Sequence, residues 1–314
     1  MTAPATSEAL VAPAKEGDAA WLSAGERGSI LGLQFILYLC TAFGRPAARA
    51  FVKVLALYYT ITGAAARKAS REFLQRLEPR VTFWMVYRHI RGFAEVVLDK
   101  IFVVQGKIHY IKAQSNGFEH LRKAQAAGKG AMLLGAHMGS IEAMRVLAGV
   151  KDVPVNVLMY TGNARMINAL LGKLNPALAG RIIELGNGRM DAILRVKELV
   201  DAGEIVAILG DRVGINDKFA VADFLGSPAR FPTGPLLIAS MLKCPVFLTF
   251  GMYTSPNKYE CFLEPFADPV ELPRKDRDAA LAGYVQKYAT RLEHFCRMSP
   301  YNWFNFYDFW RQEA

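Results

Sequence analysis

From about residue 106 onward, short apolar runs bounded by glycine alternate with amphipathic stretches, and this alternation restricts the fold more than any other feature of the chain. The runs are AMLLGA at 131–136, VPVNVLM at 153–159, IVAILG at 205–210 and CPVFLTFGMY at 244–253. Between them, helix-like patterns occupy 117–127, 140–149, 163–173, 189–202 and 233–242. Strands separated by helices need crossover connections, which place the strands parallel and the helices on the faces. The pattern therefore predicts an α/β fold with a mixed, mostly parallel central sheet flanked by helices, built from residues 106–314.

The first third of the 314 residues reads differently. Residues 68–104 carry Phe73, Leu77, Phe83, Trp84, Tyr87, Phe93 and Val97 at spacings near three and four, interrupted at Pro79, so helix is expected there. Residues 1–20 are rich in Ala, Pro and acidic groups and lack the basic start and apolar stretch of a secretory signal, which predicts a disordered lead-in. Residues 20–112 hold fourteen Lys or Arg against five Asp or Glu, so nearly all of the net charge of +10 lies in this region. Such a concentration points to an anionic partner: lipid headgroups, nucleic acid or an acidic carrier protein.

The apolar company of these charges favours lipid. Seventeen uncharged residues, GSILGLQFILYLCTAFG, lie between Arg27 and Arg45, and VLALYYTITGAAA follows Arg49 and Lys53. A spanning helix needs about 20 apolar residues. Short apolar helices with basic flanks, and Trp21, Tyr58 and Tyr59 near their edges, fit segments lying in a membrane interface, with a single span and an ordinary buried helix as the alternatives. Residues 21–105 are thus read as a helical, membrane-associating N-terminal region. Nucleic acid is disfavoured, because long apolar runs interrupt the basic residues and no recognition motif accompanies them. The four cysteines show no C-x-x-C spacing, and free thiols are expected.

One segment has the residue types of acid–base chemistry. In AMLLGAHMGSIEAM a buried strand ends at Gly135-Ala136, His137 occupies the turn and a helix begins near Gly139 or Ser140. Within one regular helix His137 and Glu142 would point about 140° apart. With His137 in the preceding turn, Glu142 is positioned to accept a hydrogen bond from one imidazole nitrogen and leave the other as a base. The bland alternative is a structural turn histidine. A second strand, IVAILGDRVG, delivers Asp211 and Arg212 at its carboxyl end, and ligands in open α/β sheets gather outside those ends. Downstream, FLGSPARFPTGPLLIAS places Phe231, Pro232, Thr233 and Gly234 in a turn before a small-residue helix. No histidine has a second metal ligand at helical spacing. In the terminal WFNFYDFW, Trp303, Phe306, Tyr307 and Trp310 fall at helical spacing, read as a core stripe with an interfacial belt as the alternative.

The order His137-x4-Glu142, GDRVG, FLGSPARFPTGP and P-x-x-WFNFYDFW resembles the bacterial lipid A biosynthesis acyltransferases of the lysophospholipid acyltransferase superfamily, and more narrowly their smaller predicted-acyltransferase relatives, from about Trp21 to Trp310. The resemblance implies transfer of a fatty acyl group from a thioester, on acyl carrier protein or coenzyme A, to a hydroxyl or amine of a lipid-like acceptor, at the cytoplasmic face of the inner membrane. It implies that His137 is the general base and Glu142 its acidic partner, with no metal, no further cofactor and no covalent acyl-enzyme. Where the family commonly has Asp-Gln this chain has Asp211-Arg212, a departure that bears on the acceptor. A further family arginine aligns to Arg165 or Arg189, and with Asp211, Arg212 and Gly234 these are the expected substrate-binding residues. A hydrolase using the same pair on water, and a non-catalytic lipid-binding protein, are the competing readings.

Overall fold

A computed structural model describes residues 11–13, 35–36, 38–40, 42–150, 153–159, 180–185, 189–214 and 217–310. The expected 163–173 helix, Arg165 and most of the apolar stretch at 28–44 lie outside them. Three helices lead into the main sheet: α1 (Gly44–Thr62), α2 (Ala64–Gln75) and α3 (Phe83–Val104). The break expected at Pro79 separates α2 from α3, and Thr82 caps α3 by accepting from the Met85 N–H at 3.4 Å.

A seven-stranded sheet follows in the order β2 (Lys112–Asn116), β10 (Lys258–Ala267), β9 (Val246–Ser255), β3 (Ala131–Gly139), β6 (Ile205–Leu209), β4 (Val155–Met159) and β5 (Ile182–Glu184). Every pairing is parallel except β9 with β10. The helices are α4 (Phe118–Ala126), α5 (Ile141–Val150), α6 (Arg189–Asp201), α7 (Gly234–Leu242) and α8 (Arg277–Met298). This is the mixed, mostly parallel α/β architecture the alternation predicts.

Strand periodicity explains the layering. Met132 and Leu134 of β3 join one core cluster with Val196, Leu236 and Leu292 of α6, α7 and α8, whereas Ala131 and Leu133 join another with Phe118 and Leu121 of α4. Both faces of the strand are covered, so its sequence is uninterruptedly apolar. A third cluster, including Ala48, Val52, Leu98 and Phe102, joins α1 to α3. Arg45 pairs with Asp99, Arg49 Nε lies 2.6 Å from Glu95 Oε2, and Tyr259 of β10 donates to Asp99 Oδ2 at 2.7 Å. Two of the basic residues of the first third are therefore paired inside the fold with acids of the same region.

Three expectations are corrected. Residues 11–13, within the anticipated disordered lead-in, include a short strand β1 (Ala12–Pro13), which pairs antiparallel with β7 (Lys218–Phe224). The turn expected at 231–234 is largely strand: Phe231 and Pro232 close β8 (Ser227–Pro232), which forms with β7 a hairpin whose turn residues Leu225 and Gly226 both have positive φ, 52° and 76°. The terminal WFNFYDFW is not helical. It runs irregularly beside β3, with Met138 bridged to Trp303, and its aromatic side chains still pack, Trp303 being fully buried. Buried Asn302, just before the segment, and Asn305 within it account for the departure from helix, because both bond to other elements. Asn302 bonds the backbone N–H and C=O of Tyr253 at 2.7 and 3.0 Å, pairings that hold the segment against β9.

Gly139 ends β3 with φ +63°, and a Cβ there would stand 1.8 Å from the Gly251 carbonyl oxygen. Gly139→Ala is expected to cost about 3 kcal/mol or more, combining left-handed strain with a backbone clash. Gly128→Ala, at φ +69° with nothing within 4 Å of the added atom, should cost about 1 kcal/mol. Urea unfolding of the two variants checks the difference.

Candidate active site

Parallel register decides which groups meet. Gly135 of β3 pairs with Leu209 of β6. β3 runs on to Gly139, so His137 lies within the carboxyl end of the strand and not, as expected from the sequence, in a turn after it, while Asp211 stands two residues beyond the last residue of β6. There His137 Nδ1 lies 2.8 Å from Asp211 Oδ1, and the His137 backbone N–H donates to Asp211 Oδ2 at 3.0 Å. An ionised carboxylate only accepts, so Nδ1 carries the ring proton and Nε2 presents a lone pair. His137 lines a cavity of about 430 Å³, a size usual for ligand sites.

Asp211 is fully buried, and two more donors complete its shell: Trp303 Nε1 at 2.9 Å and Asn305 Nδ2 at 3.1 Å, both to Oδ2. Burial opposes its ionisation most strongly, but His137, by charge and hydrogen bonding, and the Arg212 guanidinium together hold the carboxyl well below its usual range. His137 is pushed down, first by burial and then by Arg212, against the upward pull of Asp211. A neutral imidazole at ordinary pH follows.

His137 stands outside the helix carrying Glu142, as expected, since α5 begins at Ile141 with Ser140 accepting from the Ala143 N–H at 3.1 Å. The expected bond between His137 and Glu142 is nonetheless replaced by the one to Asp211. Glu142 lines the same cavity with Oε1 2.7 Å from Lys100 Nζ of α3. Burial raises its pKa, yet Lys100, the helix N-terminal backbone and Arg145 bring it below the ordinary value. A tertiary neighbour 74 residues away in sequence thus occupies the position anticipated for the local acid.

Arg212 also lines the cavity, tied back by Nε to Asn305 Oδ1 at 2.8 Å and by Nη2 to the Phe304 carbonyl at 3.0 Å. Gly234, at the start of α7, is in the lining, and Arg189 opens α6. Apolar side chains from β4, β6, α6 and α7, among them Leu158, Ile208, Ile193 and Leu237, make up most of the wall. Cations from separate elements, Lys100, Arg145, Arg212 and Arg277, stand at it with Glu142 and Asp217. Sequence reasoning missed Lys100, Trp303 and Asn305 as site residues. The usable signal for the last two was asparagine placed between aromatic residues, because a buried amide requires partners.

Both ionisations affect stability in the same direction. As pH falls through 6.5 and then 3.8, the ordinary values for histidine and aspartate, the unfolded chain takes up protons that native His137 and Asp211 resist, so stability falls. The stability gap between wild type and Asp211→Asn, measured by urea unfolding, is expected to narrow below about pH 4; a gap independent of pH would contradict an ionised Asp211.

No curated protein matches the chain at a significant level. The family model described as bacterial lipid A biosynthesis acyltransferase matches residues 28–312, which include the three N-terminal helices, the seven-stranded sheet and the terminal aromatic segment. With that match over nearly its whole length, and a histidine paired to a buried aspartate beside an apolar cavity, the chain belongs to the bacterial lipid A biosynthesis acyltransferase family.

Proposed function

We propose that the protein transfers a fatty acyl group from a thioester, carried by acyl carrier protein or coenzyme A, to a hydroxyl or amine of a lipid-like acceptor, with His137 as general base and Asp211 as the residue that orients it. The observation that carries this reading is the His137 Nδ1 bond to Asp211 beside a cavity walled mostly by apolar side chains. His137 Nε2 removes the acceptor proton as the acceptor attacks the thioester carbonyl. Asp211 stabilises the imidazolium so formed. Collapse of the tetrahedral intermediate expels the thiolate, which takes the proton back from Nε2. Base assistance of this kind contributes about 10² to 10⁴ in rate.

The apolar wall suits the acyl chain, and the cations suit an anionic group on donor or acceptor. Lys100, held by Glu142, is one of them, which gives Glu142 a place in substrate binding rather than in orienting the base. Arg212 takes a similar place through its ties to the terminal segment.

Attachment to the cytoplasmic face of the inner membrane is part of the same reading. No helix among the described residues is long and apolar enough to cross a membrane. Val54, Tyr58 and Ile61 follow one another at helical spacing on α1 and are exposed, as is Trp84 of α3, with Lys53 exposed beside Val54. Apolar side chains with a basic neighbour suit an interfacial contact with anionic lipid.

Asp211→Asn discriminates between the two possible partners of His137. With three donors on Oδ2, an asparagine keeps its oxygen there and turns its NH₂ toward Nδ1, forcing the ring proton onto Nε2. Acyl transfer is expected to fall on the order of 10³- to 10⁴-fold. His137→Ala should remove it, and Glu142→Gln should cost about tenfold, the loss of one charged contact. A fully active Asp211→Asn enzyme would defeat the assignment. Fatty acid released at one rate with and without acceptor would favour the hydrolase reading. Trp84→Ser with Tyr58→Ser is expected to weaken binding to vesicles containing anionic lipid by about tenfold or more, as read by sedimentation, and unchanged binding would exclude this face.

A further inference from the structure

The fully buried His89 of α3 does not line the cavity, yet a chain of hydrogen bonds connects it to His137. His89 Nε2 lies 2.9 Å from the Trp303 carbonyl oxygen, and His89 Nδ1 lies 2.9 Å from Ser70 Oγ. A carbonyl only accepts, so Nε2 carries the proton and Nδ1 accepts from the Ser70 hydroxyl. Trp303 in turn donates its indole N–H to Asp211 Oδ2 at 2.9 Å, and Asp211 holds His137 Nδ1 at 2.8 Å. Ser70, His89, Trp303 and Asp211 all have relative exposures of 0 %.

We propose that His89 is a positioning residue for acyl transfer: by holding the Trp303 carbonyl it keeps the indole N–H on Asp211, and so sets the orientation and basicity of His137. The proposal rests on the reading of His137 as the base.

The surroundings of His89 show why a hydrogen-bonding ring is informative there. Phe73, Phe304 and Phe306 lie around it, with ring centroids 5.5, 6.1 and 4.8 Å away. A phenylalanine would suit such a slot by packing alone, but would leave the Trp303 carbonyl without a donor. Burial, opposed only by the bond to Trp303, lowers the His89 pKa to about 4, so the ring stays neutral and does not titrate with the base. Trp303 is held on its other side by the bridge to Met138, and the next backbone N–H, of Phe304, donates to the His137 carbonyl at 2.8 Å. A shift of Trp303 would therefore reach both the backbone of His137 and the carboxylate that orients its ring. Asp211 and Arg212 are the charged groups that act on His137.

Three variants test the link. Trp303→Phe keeps an aromatic ring but removes the indole donor. His89→Leu removes the donor to the Trp303 carbonyl. His89→Gln restores it, with an amide N–H for that carbonyl and an amide oxygen for Ser70. With fewer donors on Asp211, its charge is directed more strongly at His137, and the imidazolium becomes easier to form.

The readouts are the acid limb of kcat/KM for acyl transfer and the ¹⁵N NMR titration of His137 in histidine-labelled protein, which needs no substrate. Trp303→Phe and His89→Leu are expected to raise the His137 midpoint by about half a pH unit or more and to lower kcat on the order of tenfold to a hundredfold. His89→Gln should behave as wild type. An unmoved midpoint in His89→Leu, or an equal rise in His89→Gln, overturns the proposal. If His89→Leu does not fold, an unmoved midpoint in Trp303→Phe does the same. A shifted midpoint in a protein that transfers no acyl group would support the positioning chain and reject the function on which it rests.

Discussion

Asp211 receives hydrogen bonds from the backbone and ring of His137, from the Trp303 indole and from the Asn305 amide, and the rest of the site is arranged around it. A carboxylate removed from water is costly unless its oxygens are satisfied, and hydrogen bonds to a charged group contribute about 1.5 to 3 kcal/mol each. The four bonds come from two separated parts of the chain, the end of β3 and the terminal aromatic segment, and converge on a third at the end of β6. Formation of the ionised site therefore requires that the sheet and the terminal segment both be in place. The fixed tautomer of His137 follows from the same charge.

The N-terminal helices belong to this arrangement and are more than an appendage. α3 supplies Lys100 to the cavity and His89 to the back of Trp303, while Arg76 of the segment after α2 stacks on Trp310 at 4.0 Å and Arg88 of α3 on Tyr301 at 4.5 Å. The basic residues of the first third divide accordingly. Arg45 and Arg49 meet buried acids, others cover the terminal aromatics, and exposed ones such as Lys53 stand beside apolar side chains. A net charge counted along the sequence merges these uses, since it does not register which charges are neutralised across the fold.

Much of the fold was legible because parallel strands buried on both faces leave continuous apolar runs, and amphipathic helices leave a repeat near 3.6. The β3, β4, β6 and β9 runs, the break at Pro79 and the helix before Leu242 all fall where those patterns put them. The β7–β8 hairpin was hidden because its positive-φ turn uses Leu225 ahead of Gly226, a leucine that carries no turn signal. The terminal segment misled for a related reason. Trp303, Phe306, Tyr307 and Trp310 have helical spacing, yet hydrogen bonding of Asn302 and Asn305 to other elements holds the backbone out of a helix.

The sequence by itself determined the α/β class, the buried strand that leads to His137, the exclusion of His137 from the following helix, and the motif order that marks the family. Those properties depend on local periodicity and on residue types at short spacing. The partner of His137 was decided by tertiary structure alone. Glu142 is five residues away and Asp211 seventy-four, but the register of β3 on β6 sets Asp211 beside the imidazole, while α3 brings Lys100 to Glu142. Separation along the chain does not measure distance across a parallel sheet, and in this site the neighbour that orients the histidine comes from the adjacent strand.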